Sequence, residues 1–253
     1  NNRALNEIAS FANIPIILGC IRSEGNKVFN SAAICFKNKL QEYYDKILLP
    51  NYDVFDEKRF FTSGLEPKIV LIPIKGQIKK VGVQICEDLW DEHYSCKVSS
   101  EQKRRGAELI INISASPFNV NKINERRQLV SLKAKKIGLP FVYCNIVGGQ
   151  DELIFDGSSF AVSKEGHLLS QAESFGEQLQ IIDLDSSKII KHSIASREEE
   201  IFKALSLGVK DYFSKTNFEK AIIGLSGGID SALVASIAVN ALGDKSSVLE
   251  IKF

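Results

Sequence analysis

Eight short runs rich in β-branched residues, at 14–18, 28–36, 69–74, 81–85, 109–113, 140–146, 158–162 and 179–184, recur along the chain with helix-like segments between several of them. Runs of that length suit strands, and the apolar spacing of three to four residues between them suits helices. The alternation restricts the chain to a layered α/β architecture in which helices lie on sheets. Segments 101–108 and 121–137 wrap charged residues around an apolar stripe and are read as such helices, with Arg104-Arg105, Arg126-Arg127 and Lys135-Lys136 on their solvated sides. The turns Ser23-Glu24-Gly25-Asn26 and Lys164-Glu165-Gly166 sit between strand-like runs and read as hairpins, so the sheets are mixed rather than purely parallel.

After Asp185 the texture changes. Ser186-Ser187-Lys188 opens a polar stretch that ends at Ser196-Arg197-Glu198-Glu199-Glu200, and a domain boundary is expected there. Ser196 with Glu199 three residues on forms a capping box, and Ile201, Leu205 and Val209 continue an apolar face, which predicts a helix to about Lys215. A buried strand at 221–225, a turn at 226–230 and a helix at 231–242 stopped by Gly243 follow.

Composition narrows the function. With 253 residues, 44% hydrophobic and 25% charged, the chain can bury a full core. Its 32 basic and 31 acidic side chains leave no whole-molecule field to draw it to nucleic acid or a membrane, so a small-molecule substrate is expected. The five cysteines form no C-x-x-C pair and come in an odd number, the pattern of reduced thiols in a cytoplasmic protein. Cys20, Cys35 and Cys144 read as core hydrophobes. His93, His167 and His192 match no metal or nucleophile–base spacing and read as surface or turn residues. No apolar run reaches membrane-spanning length. The chain lacks methionine, opens on Asn1-Asn2-Arg3 as if in mid-helix and closes on a strand-like Val248-Leu249-Glu250-Ile251-Lys252-Phe253, so it reads as a piece of a longer protein.

Two segments carry chemistry. In Gly224-Leu225-Ser226-Gly227-Gly228-Ile229-Asp230-Ser231 a strand gives way to a helix through a glycine pair, so backbone N–H groups converge on one point at the positive end of the helix. Gly227 and Gly228 let the backbone approach a pyrophosphate, and Ser226 and Ser231 add hydroxyl donors. Asp230 would repel that anion unless it held a magnesium ion bridging the phosphates. No lysine follows the glycines, which separates this turn from the P-loop. The run is similar to the pyrophosphatase loop of enzymes that split ATP to AMP and pyrophosphate while adenylating a substrate.

The other is Val81-Gly82-Val83-Gln84-Ile85-Cys86-Glu87-Asp88, where a cysteine closes an apolar strand beside two carboxylates. A nucleophilic thiol needs a base for its proton and a cation for the developing oxyanion. Lys46, followed by Ile47-Leu48-Leu49, is a candidate for the cation, and an ammonium in such an apolar stretch calls for a partner.

Residues 46–52, Val54-Phe55-Asp56-Glu57 with Arg59-Phe60-Phe61, 84–90, 112–117 and 147–157 resemble the glutaminase domain of glutamine-dependent NAD synthetases, members of the nitrilase superfamily. From Glu199 through Asp211-Tyr212 and 224–231 to Ala241-Leu242-Gly243 the chain is similar to the start of their synthetase domain. The resemblance implies an α/β fold: a nitrilase-like α-β-β-α sandwich over 1–185, a linker at 186–198, and over 199–253 the first strand–loop–helix of a doubly wound adenine-nucleotide hydrolase-like domain. It implies that Cys86 attacks the glutamine side-chain amide to form a thioester, releasing ammonia and then glutamate. Lys46 and the Glu87 backbone N–H would stabilise the oxyanion, with Glu57 orienting Lys46. Tyr52, Glu87, Ser116 and Lys122 would hold the glutamine, Trp90 would form an aromatic wall, and Tyr212 would contact the dinucleotide.

ATP with Mg2+ on Asp230 would adenylate deamido-NAD, whose amidation by the channelled ammonia gives NAD. A homo-oligomer is implied for the full-length protein, with the general-base glutamate ahead of Asn1. Leu249-Glu250-Ile251 departs from the small-residue strand of that family, and the 253-residue chain alone is expected to make no NAD. Other readings are a stand-alone nitrilase-type amidase, an inactive remnant of the synthetase, and a purine- or asparagine-forming amidotransferase, which the Lys46 and Cys86 contexts disfavour.

Overall fold

The computed structural model describes residues 2–186, 188–190, 195–243 and 246–250, and for residues 2 and 246–250 the backbone only. Helix α1 (Asn2–Ser10) precedes an antiparallel sheet of β1 (Ile16–Glu24), β2 (Lys27–Phe36) and β3 (Lys39–Asp45). After the short α2 (Glu57–Phe60), a six-stranded sheet is built from β4 (Ile69–Ile74), β5 (Gln77–Ile85), β6 (Leu109–Ser114) and β7 (Phe141–Asn145). It is completed, beyond the hairpin β8 (Val147–Gln150) and β9 (Leu153–Asp156), by β10 (Phe160–Val162) and β11 (Leu168–Gln171). Its order is β11-β10-β7-β6-β5-β4, with β5, β6 and β7 parallel and the flanking strands antiparallel. Helices α3 (Val98–Arg104) and α4 (Lys122–Ile137) make the parallel crossovers.

Three apolar clusters define four layers. Leu5, Ala9 and Ala12 of the α1 region pack on Ala33 and Cys35 of the small sheet. Its other face, through Ala32, Ile34 and Tyr44, meets Val70, Val81, Val83 and Leu109 of the large sheet. The far side of the large sheet, with Ile110, Phe141, Tyr143 and Phe160, receives Ile123, Val130 and Ala134 of α4. The expected α-β-β-α sandwich is therefore the observed one.

Helix α5 (Arg197–Thr216) starts at Ser196, whose hydroxyl accepts the Glu199 N–H at 3.1 Å, as the capping box predicts. It lies against the β8–β9 hairpin: Asp211 Oδ2 accepts the Gly149 N–H at 2.8 Å, and Lys215 Nζ donates to the Gly149 carbonyl. Strand β12 (Ala221–Leu225), helix α6 (Ile229–Leu242) and β13 (Ser246–Glu250), parallel to β12, form the second unit. Among the described residues no helix is long and apolar enough to cross a membrane.

Several expectations are corrected, among them the buried strand at 221–225, since every residue of β12 is half-buried or exposed. Segment 179–184 is not a strand: among the described residues no strand pairs with its backbone, and Leu179 and Ile181 are almost fully exposed. Strand β3 escapes the sequence pattern because Lys39-Leu40-Gln41-Glu42 is polar and only half-buried. Arg126 and Arg127 are buried rather than solvated. Cys144 is exposed, whereas Cys35 fills the core as expected and Cys20 is half-buried. His93 and His167 are exposed; His192, part of the expected 186–198 linker and residues 251–253 lie outside the described residues.

Candidate active site

The C-terminal ends of β5, β6 and β7 deliver Cys86, Ser114 and Asn145 to one rim of the large sheet, the edge where open parallel sheets place their ligands. Past Ile85 the chain turns sharply into a 3-10 turn, Cys86–Leu89, with Cys86 at φ +42°, a conformation that costs a residue with a side chain on the order of 1 kcal/mol or more. Asp88 supports that elbow. Fully buried, it accepts the Ile85 N–H at 3.0 Å and the Tyr44 hydroxyl at 2.8 Å on one oxygen, and the N–H groups of Ile47 and Leu48 at 3.1 and 2.9 Å on the other. Burial pushes its carboxyl up to about 6 against the pull of these donors and of Lys46. One carboxylate thus ties the cysteine turn to the segment that carries Lys46.

Lys46 follows β3. Its backbone is held at both ends, N–H to the Asn30 carbonyl at 2.9 Å and carbonyl to the Gly64 N–H at 2.8 Å. Its side chain is 1% exposed, and Nζ meets Glu57 Oε1 at 2.5 Å, so the partner that the sequence calls for is Glu57. The Asn30 amide donates to the other Glu57 oxygen at 3.3 Å. Burial raises the Cys86 thiol above its ordinary range, and the Lys46 ammonium is the largest influence opposing it. Asn112 donates to the Cys86 carbonyl at 3.4 Å and accepts from Ser114 at 2.6 Å.

Beside the thiol, Glu87 is buried and receives two phenols: the Tyr52 hydroxyl at 2.9–3.0 Å and the Tyr94 hydroxyl at 2.9 Å. Burial and the bond to Glu87 push Tyr94 up to about 12 and raise Tyr52 as well. A cavity of about 510 Å³ opens here, lined by Tyr52, Glu87, Trp90 and Tyr94 among others. The Lys122 ammonium stands 4.4 Å from the Trp90 ring centre and pairs with Glu125 at 2.9 Å. Ser116 is nearly buried, its N–H held by Asn145 Oδ1 at 2.9 Å and its hydroxyl by Arg126 Nε at 3.1 Å.

The structure thus links Lys46, Glu57 and Cys86 electrostatically and gathers Tyr52, Glu87 and Trp90 around one cavity. A thiol with a neighbouring ammonium, beside a carboxylate lined by phenols, can attack a carbonyl and receive an ammonium-bearing substrate.

The phosphate turn is a second locus. Gly227 adopts φ +81°, and a Cβ added there would meet no atom within 4 Å, so the cradle is open. Ser226 and Ser231 hydroxyls lie 3.2 Å apart, Ser231 also bonds the Gly228 carbonyl at 3.0 Å, and Gly224, Gly228, Ile229 and Asp230 are exposed, with Leu225 half-buried behind them. Asp230 lies in the first turn of α6. Among the described residues no cluster of three or more His, Cys, Asp or Glu side chains could hold a metal ion, so magnesium here would rest on Asp230 and the phosphates. Tyr212 stands on α5, exposed, with its ring against Phe213 and Phe218.

Asp88, Tyr94, Asn30, Asn112, Asn145 and Arg126 were not legible as site residues. Asp88 left a local signal, its place two residues after the cysteine, and Asn112 opens one of the segments that carry the resemblance.

Residues 2–192 match the carbon-nitrogen hydrolase family and residues 201–251 match NAD synthase. The chain is 42% identical over 243 residues to a glutamine-dependent NAD(+) synthetase of Synechocystis sp., covering 91% of this chain and 43% of that protein. It is 38% identical to the corresponding synthetase of Thermotoga maritima, over 92% of this chain and 46% of the relative. The solved glutamine-dependent NAD+ synthetase of Acinetobacter baumannii, in complex with adenosine diphosphate, superposes with a TM-score of 0.88 at 34% identity, covering 99% of this chain and 48% of that one. A carbon-nitrogen hydrolase from Helicobacter pylori matches with a TM-score of 0.55 at 26% identity, over 66% of this chain and 61% of the other. The chain spans less than half the length of the synthetases that it matches.

Proposed function

The chain belongs to the carbon-nitrogen hydrolase family, and from that premise we propose that it supplies ammonia from glutamine to an ATP-dependent synthesis of NAD. The observation that carries the reading is the Lys46 ammonium, buried, paired with Glu57 and acting on the Cys86 thiol, in one chain with an open Ser-Gly-Gly turn.

Cys86 Sγ attacks the side-chain carbonyl carbon of glutamine, giving up its proton to a general-base carboxylate that the resemblance places ahead of Asn1. Negative charge moves to the amide oxygen, where Lys46 Nζ and the Glu87 N–H receive it. The tetrahedral species collapses, the C–N bond breaks, and the same proton leaves with ammonia. Water then cleaves the thioester to glutamate. Glu57 aims Lys46 and serves as its counter-ion, which matters because an ammonium so deeply buried is costly without one. Glu87, held by Tyr52 and Tyr94, faces the α-amino group; Ser116 and Lys122 meet the α-carboxylate, and Trp90 walls the aliphatic part.

In the second unit the nicotinate carboxylate of deamido-NAD attacks the α-phosphorus of ATP and pyrophosphate leaves; ammonia then displaces AMP to give NAD. Backbone N–H groups at 227–229 and the Ser226 and Ser231 hydroxyls would take the pyrophosphate oxygens. Mg2+ held by Asp230 would neutralise phosphate charge. We further propose that residues 186–198 link the two units, that Tyr212 reaches the dinucleotide, and that the protein is a cytoplasmic homo-oligomer. The test is ammonia release from L-glutamine by the protein and its Cys86→Ala variant. Release lost on substitution supports the reading; release from acetamide in preference to glutamine would favour a simple amidase instead.

A further inference from the structure

Arg126 is a large, completely buried cation on α4, one turn into the helix. A guanidinium offers donors on three nitrogens, and here each nitrogen faces an acceptor. NH1 holds both Asp156 oxygens at 2.6 and 2.9 Å, NH2 holds the carbonyls of Ser116 and Pro117 at 2.9 Å each, and Nε holds Ser116 Oγ at 3.1 Å. Ser116 is fixed from its other side too, its N–H on Asn145 Oδ1 and its carbonyl receiving Asn145 Nδ2 at 3.3 Å. Three of its polar groups are therefore occupied, and only the hydroxyl hydrogen is left to act.

That hydrogen is directed by the bond the oxygen has already accepted. With Arg126 Nε on one lone-pair side of Oγ, the O–H points away from the guanidinium and needs an acceptor. Nearby, the Tyr143 hydroxyl is raised by burial, with the Ser114 and Ser116 hydroxyls turned toward it although no hydrogen bond of ordinary length reaches it among the described residues. Tyr143 also faces Asn112 across the β6–β7 pairing, two pairs before Ser114 and Asn145 come opposite each other, so it lies below the site rim on the same face of the sheet. The Ser116 hydroxyl is the group left to donate, and a ligand group that only accepts suits it. Arg126 cannot itself supply free positive charge there, because Asp156 neutralises it at bidentate distance.

We infer that Arg126 is a positioning residue for substrate selection: by occupying the acceptor side of Ser116 Oγ it makes that hydroxyl a fixed donor, tuned to the α-carboxylate of glutamine. The inference rests on the glutaminase reading above. It places selectivity in a residue that never touches the substrate, and it gives a reason for a guanidinium completely buried on α4, where Arg127 and Lys133 are buried as well.

The test compares kcat/KM for L-glutamine with kcat/KM for γ-aminobutyramide, which is glutamine without its α-carboxylate. Their ratio is insensitive to the fraction of protein folded, since unfolding scales both values alike. Arg126→Lys keeps a cation for Asp156 but lacks a second donor for Ser116; Arg126→Met with Asp156→Asn removes both charges together, in case the lysine is not accommodated. Each is expected to lower the ratio roughly tenfold, mainly through a higher KM for glutamine, as does Ser116→Ala in the unmodified protein. Adding Ser116→Ala to either variant should lower it less than about twofold further, because the two residues act as one unit. An unchanged ratio in the Arg126 variants, or a full additional loss from Ser116→Ala, overturns the inference. Glutamine turnover with no preference over γ-aminobutyramide in the unmodified protein overturns it while leaving the glutaminase reading in place; no glutamine turnover at all overturns both.

Discussion

Replacing Asp88 with asparagine keeps the shape of the side chain and removes one acceptor oxygen at the point where the cysteine turn is tied to the lysine segment. Each Asp88 oxygen accepts two bonds, so the new NH2 must face two donors whichever way the amide sits. Turning it toward Tyr44 and Ile85 is the cheaper choice, because the Tyr44 hydroxyl can rotate to accept from it. The Ile85 N–H is then left without an acceptor in a buried site, a loss of about 1–3 kcal/mol. The bonds to Ile47 and Leu48 also lose the strength lent by a charged acceptor, which brings the expected total to about 3 kcal/mol. Urea unfolding at pH 8, above the carboxyl's value of about 6, measures this directly, with the slope unchanged and the midpoint lowered. Alkylation of Cys86 should become less selective in the same variant, since Lys46 loses its fixed place relative to the thiol. A loss below about 1 kcal/mol would refute the view that this carboxylate clamps the site together.

Lys46→Met removes the largest influence that lowers the Cys86 thiol, so the alkylation rate of Cys86 at pH 8 should fall roughly tenfold for each unit its pKa rises. In the unmodified protein the same rate should keep climbing with pH past 9, because burial places the thiol above its ordinary range and the thiolate fraction grows until that higher pKa is passed. Gly148→Ala should destabilise the docking of α5 on the β8–β9 hairpin by about 2 kcal/mol: its φ is +137°, and the new Cβ would stand 2.7 Å from Asp211 Oδ2. Adding Asp211→Ala relieves the collision but not the backbone strain, so in urea unfolding the double variant should lose less than the sum of the two singles.

The Cys86–Lys46 pair was legible as a candidate because its demands are local. A thiol at the end of an apolar strand and a lysine in an apolar run each state in sequence that a partner is required, and Glu57 is where the motif places one. A layered α/β architecture was likewise legible from strand-length apolar runs, whereas the four-layer order came only with the family resemblance. Arg126 was misread because charged residues on a helix normally face water, and nothing in residues 121–137 announces that Asp156 arrives from β9 to neutralise it. Asn145 was missed because its role depends on which partners the sheet brings beside it, and Tyr94 because it meets Glu87 only through the path of the loop after the cysteine turn. Segment 179–184 shows the converse failure. Alternating leucine and isoleucine look like a strand, but a strand exists only where a neighbour accepts its hydrogen bonds, and Leu179 and Ile181 face solvent.

The central claim is that Cys86, set beside Lys46, is the nucleophile toward the glutamine amide. Peptide mapping by mass spectrometry, after exposure to a glutamine analogue carrying a chloromethyl ketone in place of the amide, tests it most directly. A single adduct on Cys86, prevented by excess L-glutamine and slowed in Lys46→Met, is the predicted result. Labelling that spares Cys86, or that spreads to the exposed Cys144 with no protection by glutamine, would contradict it.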